Sequence, residues 1–284
     1  MIPAAFDYAA PTSVEEAISL LQQHEDEAKL LAGGHSLLPL MKLRLAIPGM
    51  LVDLGRIPGL TYIRDEGDHI AIGAMTTHYQ VQSSEVLQRR VPLLAQAAGM
   101  VGDMQVRNRG TIGGSIAHAD PASDLPTVVT ALGGEIVARG PGGERVIAAQ
   151  DFFEDIWTSV LEPAEVVTEI RVPAGDGPGQ RYEKFRQRSA DWAIVGVAVN
   201  LSRQNGSITD ASVVLTNVGP TPMRASAVEQ ALHGAPVTSE TIAAAADLAD
   251  RGLEPSSELK ASAEYKRHLA RVLTRRALEA VLLS

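Results

Sequence analysis

The sequence predicts an α+β protein built from three consecutive units. Helical and strand periodicities alternate through residues 1–55 and again through 56–175. The glycine- and proline-rich AGDGPGQ, residues 174–180, then interrupts the pattern as a linker. Strands at hairpin spacing, followed by helices, fill residues 176–284. With 284 residues and 45% hydrophobic content, the chain is long enough to bury a substantial core.

In the first unit, PTSVEEAISLLQQ sets Thr12 and Ser13 three residues before Glu15 and Glu16, with Val14, Ala17, Ile18 and Leu21 at helical spacing. This is the pattern of a capped amphipathic helix. AKLLAG reads as a short buried strand ending at Gly33 and Gly34, SLLPLMKLR as a helix and MLVDL as a second strand. Glycine and proline in DLGRIPGL close the unit near residue 55. In the middle unit, HIAIGAMTTH predicts a strand running into a Thr-capped helix, VPLLAQAAGMVG a helix, and GEIVAR and EVVTEIRVP strands. The third unit predicts a three-stranded antiparallel sheet from RYEKFRQR, AIVGVAVNLS and ITDASVVLTNV. Helices SETIAAAADLAD and AEYKRHLARVLTRRALEAVLL follow, the last with its apolar side on the sheet and its basic side solvated near acids.

Composition excludes several function classes. The balance of 34 acidic against 25 basic side chains, a formal charge of -9, repels a phosphate backbone and argues against nucleic acid as a partner. Without cysteine the chain has no disulfide, no thiolate-ligated iron–sulfur cluster and no cysteine nucleophile. The start MIPAAFDYAAPTS lacks a basic n-region and an apolar h-region, and no apolar run reaches bilayer-spanning length. A cytoplasmic protein without a membrane span is expected, any contact with the inner face of the membrane being peripheral and made through partners.

The chemistry-bearing residues lie in two glycine-containing stretches. Gly33-Gly34-His35-Ser36 follows a strand and precedes a helix, where glycine permits positive φ and backbone N–H groups can receive an anion. RNRGTIGGSIAHADPASDLP repeats the arrangement as Thr111-Ile112-Gly113-Gly114-Ser115. Either glycine pair alone is accounted for by a plain strand-to-helix turn; two together can grip a pyrophosphate from both sides. Neither fits G-x-G-x-x-G, and no G-x-x-x-x-G-K-[ST] occurs, so another phosphate-binding fold is required. Taken singly, Asp124 also reads as a helix cap, Lys184 as a solvated strand residue and Trp192 as a packed one. His118 and Asp120 alternate in a loop, but no third ligand falls at a recognisable spacing, and no metal site is expected.

AGGHSLLPLMKLR and VRNRGTIGGSIAHADPASDLP together resemble the two FAD-binding signatures of the flavoprotein subunits of molybdenum hydroxylases, the xanthine oxidase family. The likeness continues through YEKFRQRSADWAIVGVAV and SAEYKRHLARVLTRRAL, so it covers essentially the full chain. It implies the FAD-binding fold shared with vanillyl-alcohol oxidase. It further implies that Ala32, Gly33, Gly34, His35 and Ser36 hold the pyrophosphate and ribityl region of a non-covalent FAD, with Thr111, Ile112, Gly113, Gly114 and Ser115 completing the cradle. Asp124 would hydrogen-bond toward the flavin end. Lys184 of YEKF would lie near the isoalloxazine ring, where a cation stabilises negative charge on the reduced flavin, and Trp192 would sit beside it.

The implied role is electron transfer, with no catalytic residue in this chain. Molybdopterin would sit in a large partner subunit and [2Fe-2S] clusters in a small one, the whole a dimer of heterotrimers passing electrons to an external acceptor. Within the family, His35, Ser115 and Asp191-Trp192 point to the carbon monoxide branch, which converts carbon monoxide and water to carbon dioxide. The aldehyde, purine and N-heterocycle branches are the alternative. A stand-alone FAD oxidase is disfavoured, because it calls for a longer chain with a dedicated substrate domain.

Overall fold

The structure, a computed structural model, describes residues 2–175 and 179–283. Residues 176–178 of the expected linker lie outside the described residues.

The first helix, Val14–His24, is fixed by a reciprocal cap. Ser13 Oγ accepts from the Glu16 N–H at 3.1 Å, and the Glu16 carboxylate accepts from the Thr12 N–H at 2.8 Å. Its buried face, Val14, Ala17, Ile18 and Leu21, packs with Val52 and Leu54 over a three-stranded parallel sheet. Met50–Asp53 is the central strand, between Ala28–Leu31 and the short strand Asp7–Ala9, which has no counterpart among the expected elements. This core does not stop at residue 55: Ile57, Leu60 and Val166 complete it.

The middle region is a five-stranded antiparallel sheet in the order Ile63–Asp65, His69–Gly73, Val166–Pro173, Glu135–Gly140, Gly143–Ala148. Helices Pro92–Gly99, Ile112–His118 and Asp124–Ala131 contribute to its core. Helix His78–Ser83 begins with a capping box in which Thr77 and Gln80 satisfy each other's backbone N–H groups.

The C-terminal sheet holds the three expected strands, Gln180–Phe185, Val195–Gln204 and Ser207–Thr216, and adds a two-residue fourth, Met223–Arg224. It is covered on both faces. Tyr182, Ala198 and Val214 belong to the middle core, whereas Val195, Val197, Val199, Val213 and Leu215 pack with Leu269, Leu273 and Ala277 of the long helix Ala263–Leu282. Burial on both sides explains the near-continuous apolar run of VGVAVNL.

The long helix lays its apolar side on the sheet as expected. Arg271 pairs with Asp250 at 3.0 Å, and Arg275 with Glu279 at 2.9 Å. Lys266 departs from the expected solvated basic side. At helical spacing it shares the stripe of Leu269, Ala270 and Leu273, so it is buried, and Glu258 neutralises it. Among the described residues, no helix is long and apolar enough to cross a membrane.

Candidate functional site

Chain geometry brings the two glycine stretches into backbone contact. The first is the turn between strand Ala28–Leu31 and helix Leu37–Lys42; the second opens helix Ile112–His118. A Cβ on Gly33 would lie 2.3 Å from the Arg109 carbonyl oxygen and 2.7 Å from Gly110 Cα, so only glycine lets the turns touch. Gly113 serves a different contact: its Cβ would lie 2.5 Å from the Cβ of Ala74 and 2.7 Å from its carbonyl oxygen. Behind Gly110 sits His78, whose backbone N–H donates to the Gly110 carbonyl at 2.9 Å. Burial, reinforced by the neighbouring His35 and Arg107, pulls the His78 imidazole down to about 4, so it is neutral at ordinary pH.

The turns differ in what they offer a ligand. In the second, the Ile112 N–H donates to the Thr76 carbonyl at 3.0 Å and the Gly113 N–H to the Ala74 carbonyl at 2.9 Å. The Gly114 N–H donates to Thr111 Oγ1 at 3.1 Å, the Ser115 N–H to the Thr111 carbonyl at 3.0 Å. Its four donors from Ile112 to Ser115 are consumed internally. In the first turn, no acceptor among the described residues faces the backbone N–H groups of Gly33, Gly34, His35, Ser36 and Leu37. Gly34 takes a left-handed φ of 77°, and His35 and Ser36 are exposed. Consecutive free N–H groups in such a turn form an anion-binding nest. A Cβ on Gly114 would stand 2.9 Å from Thr111 Oγ1 and 3.5 Å from the Cβ of Ala32, so glycine leaves the groove between the turns free of a side chain there.

From the second turn a short relay leads to a buried charge cluster. Ser115 Oγ lies 2.8 Å from Ser123 Oγ, and the next residue, Asp124, opens helix Asp124–Ala131. Asp124 does not cap that helix with its side chain. Its Oδ2 accepts from Lys184 Nζ at 2.7 Å and its Oδ1 from the Tyr182 hydroxyl at 2.6 Å. The Asp124 and Lys184 side chains are only 5% and 2% exposed. Burial pushes the Asp124 carboxyl up, and the Lys184 ammonium and Tyr182 hydroxyl work against that push. Lys184 Nζ and Arg186 Nη1 both donate to the Met100 carbonyl, each at 3.1 Å. Two cations therefore meet at one carbonyl while a single carboxylate, Asp124, pairs with one of them, a local excess of positive charge suited to an anionic guest.

The structure thus gathers Ala32 through Ser36 with Thr111 through Ser115 at one groove, and joins Asp124 to Lys184 one relay away. Trp192 stands apart: it is 69% exposed on the loop that Asp191 ties to Lys260 at 2.8 Å. Tyr182 and Arg186 were missed in the sequence. The available signal was spacing: alternate residues of a strand share a face, so Y-x-K places Tyr182 beside Lys184, with Arg186 next along.

The comparisons decide the family. Residues 4–175 match the FAD binding domain in molybdopterin dehydrogenase, and residues 180–281 the CO dehydrogenase flavoprotein C-terminal domain. The chain belongs to the flavoprotein subunits of the molybdopterin dehydrogenases. A curated relative, the carbon monoxide dehydrogenase medium chain of Hydrogenophaga pseudoflava, is 47% identical over 99% of this chain and 98% of its own. The 6-hydroxypseudooxynicotine dehydrogenase complex subunit alpha of Paenarthrobacter nicotinovorans is 39% identical over 99% of this chain and 96% of its own. A chain of the solved Hydrogenophaga pseudoflava carbon monoxide dehydrogenase superposes with a TM-score of 0.97 at 48% identity, covering 99% of this chain and 98% of that one. The α+β FAD-binding fold expected from the sequence is the fold observed, and FAD is the cofactor of this family. The groove fits it: free donors for a pyrophosphate, a floor without side chains at Gly114 and a cationic cluster beyond.

Proposed function

We propose that this chain carries the FAD of a carbon monoxide-oxidising molybdenum hydroxylase, receiving electrons from an iron–sulfur subunit and releasing them to an external acceptor. The observation that carries the reading is the row of free N–H groups from Gly33 to Leu37, set against a second turn whose glycines permit close packing. The first turn binds the pyrophosphate, and Thr111 through Ser115 wall the groove. Lys184, oriented by Asp124, supplies positive charge toward the flavin end, and Trp192 flanks the ring from its exposed loop. Bound FAD accepts electrons singly and releases them singly or in pairs, which suits a junction between one-electron clusters and an acceptor.

The full-length likeness to a medium chain supports membership in a multi-subunit complex. Its finer form is a dimer of heterotrimers with a [2Fe-2S] small subunit and a molybdopterin large subunit, located in the cytoplasm. Absence of cysteine supports clusters held by partners alone.

The test is a visible spectrum of the chain co-purified with its partners, before and after carbon monoxide. Non-covalent FAD with iron–sulfur absorption, bleached by carbon monoxide, is the expected result; a flavin-free intact complex overturns the reading. The relative from Paenarthrobacter nicotinovorans supports a second reading, in which an N-heterocycle-derived substrate replaces carbon monoxide. In that case the same complex bleaches only with such a compound.

A further inference from the structure

We propose that Tyr182 is a positioning residue for the Asp124–Lys184 pair, setting the charge that this pair presents to the flavin; the proposal rests on the reading of the groove as the flavin site. Tyr182 and Lys184 lie two residues apart on strand Gln180–Phe185, so both side chains leave the same face of the sheet. They close on opposite oxygens of Asp124: Tyr182 on Oδ1 at 2.6 Å, Lys184 on Oδ2 at 2.7 Å. The carboxylate is thereby held from two sides across the boundary between the middle region and the C-terminal sheet.

The surroundings of the hydroxyl are built for it. Tyr182 is fully buried, and Thr216 Oγ1 stands 3.2 Å from its hydroxyl while donating to Thr127 Oγ1 at 2.8 Å. A Cβ on Gly196 would lie 2.4 Å from the Tyr182 hydroxyl oxygen and 2.9 Å from Thr216 Oγ1, so strand Val195–Gln204 gives up a side chain to house the hydroxyl. The backbone at Tyr182 is also anchored, since Gln96 Oε1 accepts from the Tyr182 N–H at 2.9 Å. Phenylalanine would fill the ring's volume and leave Oδ1 of a buried carboxylate without its donor. A carboxylate so deprived takes up a proton more readily, and Lys184 then faces the flavin with its charge uncompensated. Arg186, which shares the Met100 carbonyl with Lys184, adds to that excess.

The experiment is potentiometric titration of the flavin in the assembled complex, wild type against Tyr182→Phe, with bound FAD and thermal midpoint measured on the same samples. The expected result is a Tyr182→Phe complex that keeps its FAD and shows a more positive flavin potential. The shift should be about tenfold in the reduction equilibrium, or about 30 mV for a two-electron couple. In a Lys184→Met background the same substitution should leave the potential where it was, because the buried Asp124 carboxyl, without its counter-ion, is already protonated there. An FAD-replete Tyr182→Phe complex with the wild-type potential overturns the proposal, whatever its thermal midpoint. If Tyr182→Phe does not assemble, 3-fluorotyrosine placed at position 182 alone keeps the shape and strengthens the donor. It should move the potential the opposite way, and no movement again overturns the proposal. A wild-type complex without FAD overturns the reading of the groove itself, and the proposal with it.

Discussion

The two glycine turns look alike in sequence and do different physical work. Gly33-Gly34 sits in a turn whose backbone donors from Gly33 to Leu37 are free, and Gly113-Gly114 in one whose donors from Ile112 to Ser115 are spent on Thr76, Ala74 and Thr111. The first is equipped to receive an anion, the second to hold the first in place. The comparison teaches that a glycine pair marks close approach of something, and that the hydrogen-bond ledger decides whether that something is a ligand or the rest of the protein.

The bracing side extends through Ser123 to Asp124, and the largest effect is expected there. Lys184→Met leaves a buried carboxylate without its counter-ion and should cost about 3–5 kcal/mol, read by chemical denaturation. A loss below about 1 kcal/mol would mean that the pair is solvated and the brace ends at the turn.

Acid should attack the same side next. The folded-state His78 value of about 4 lies below its ordinary 6.5, so the unfolded chain binds the extra proton between those limits. The contribution is fully present above pH 6.5 and declines as pH falls toward 4, by roughly 3 kcal/mol in all. Denaturation series at stepped pH, wild type against His78→Gln, should show the acid limb flatten in the variant; parallel curves would place His78 outside the brace.

Substitutions within the turns then separate them directly. Gly113→Ala drives a Cβ into Ala74 and should lower stability by about 1–3 kcal/mol, with FAD lost only as the fold loosens. Gly34→Ala strains a residue at φ 77° by about 1–2 kcal/mol and turns the neighbouring donors aside. Its FAD should therefore be lost while most of the protein stays folded. Flavin-to-protein ratios after gel filtration, set beside thermal melts, check both. If Gly34→Ala retains FAD and Gly113→Ala sheds it without a change in melting, the roles are reversed.

What was legible in the sequence follows from where burial imposes a pattern. Helix Val14–His24 and strand Val195–Gln204 announce themselves because one buries a stripe and the other both faces. Strands Asp7–Ala9, Ile63–Asp65 and Met223–Arg224 were not legible, since they are two or three residues long and mostly exposed, with no alternation to read. The glycine turns stood out by composition, but their difference did not, because it lies in partners such as Ala74 and Thr76 some forty residues away. Tyr182 meets Asp124 across 58 residues of chain, a distance that no local pattern spans. Lys266 misled because helical spacing says which stripe a residue occupies, whereas its burial required Glu258 from the preceding segment.

The chain has two tryptophans, and both stand in the solvent: Trp157 is 64% exposed at a hairpin turn and Trp192 is 69% exposed on its loop. In the chain free of FAD and partners, indole emission should therefore already be that of a hydrated ring, and unfolding should change its colour little. The same placement makes these rings sensitive optical reporters of whatever comes to rest against the surface, since contact dries and quenches an indole that folding has left wet.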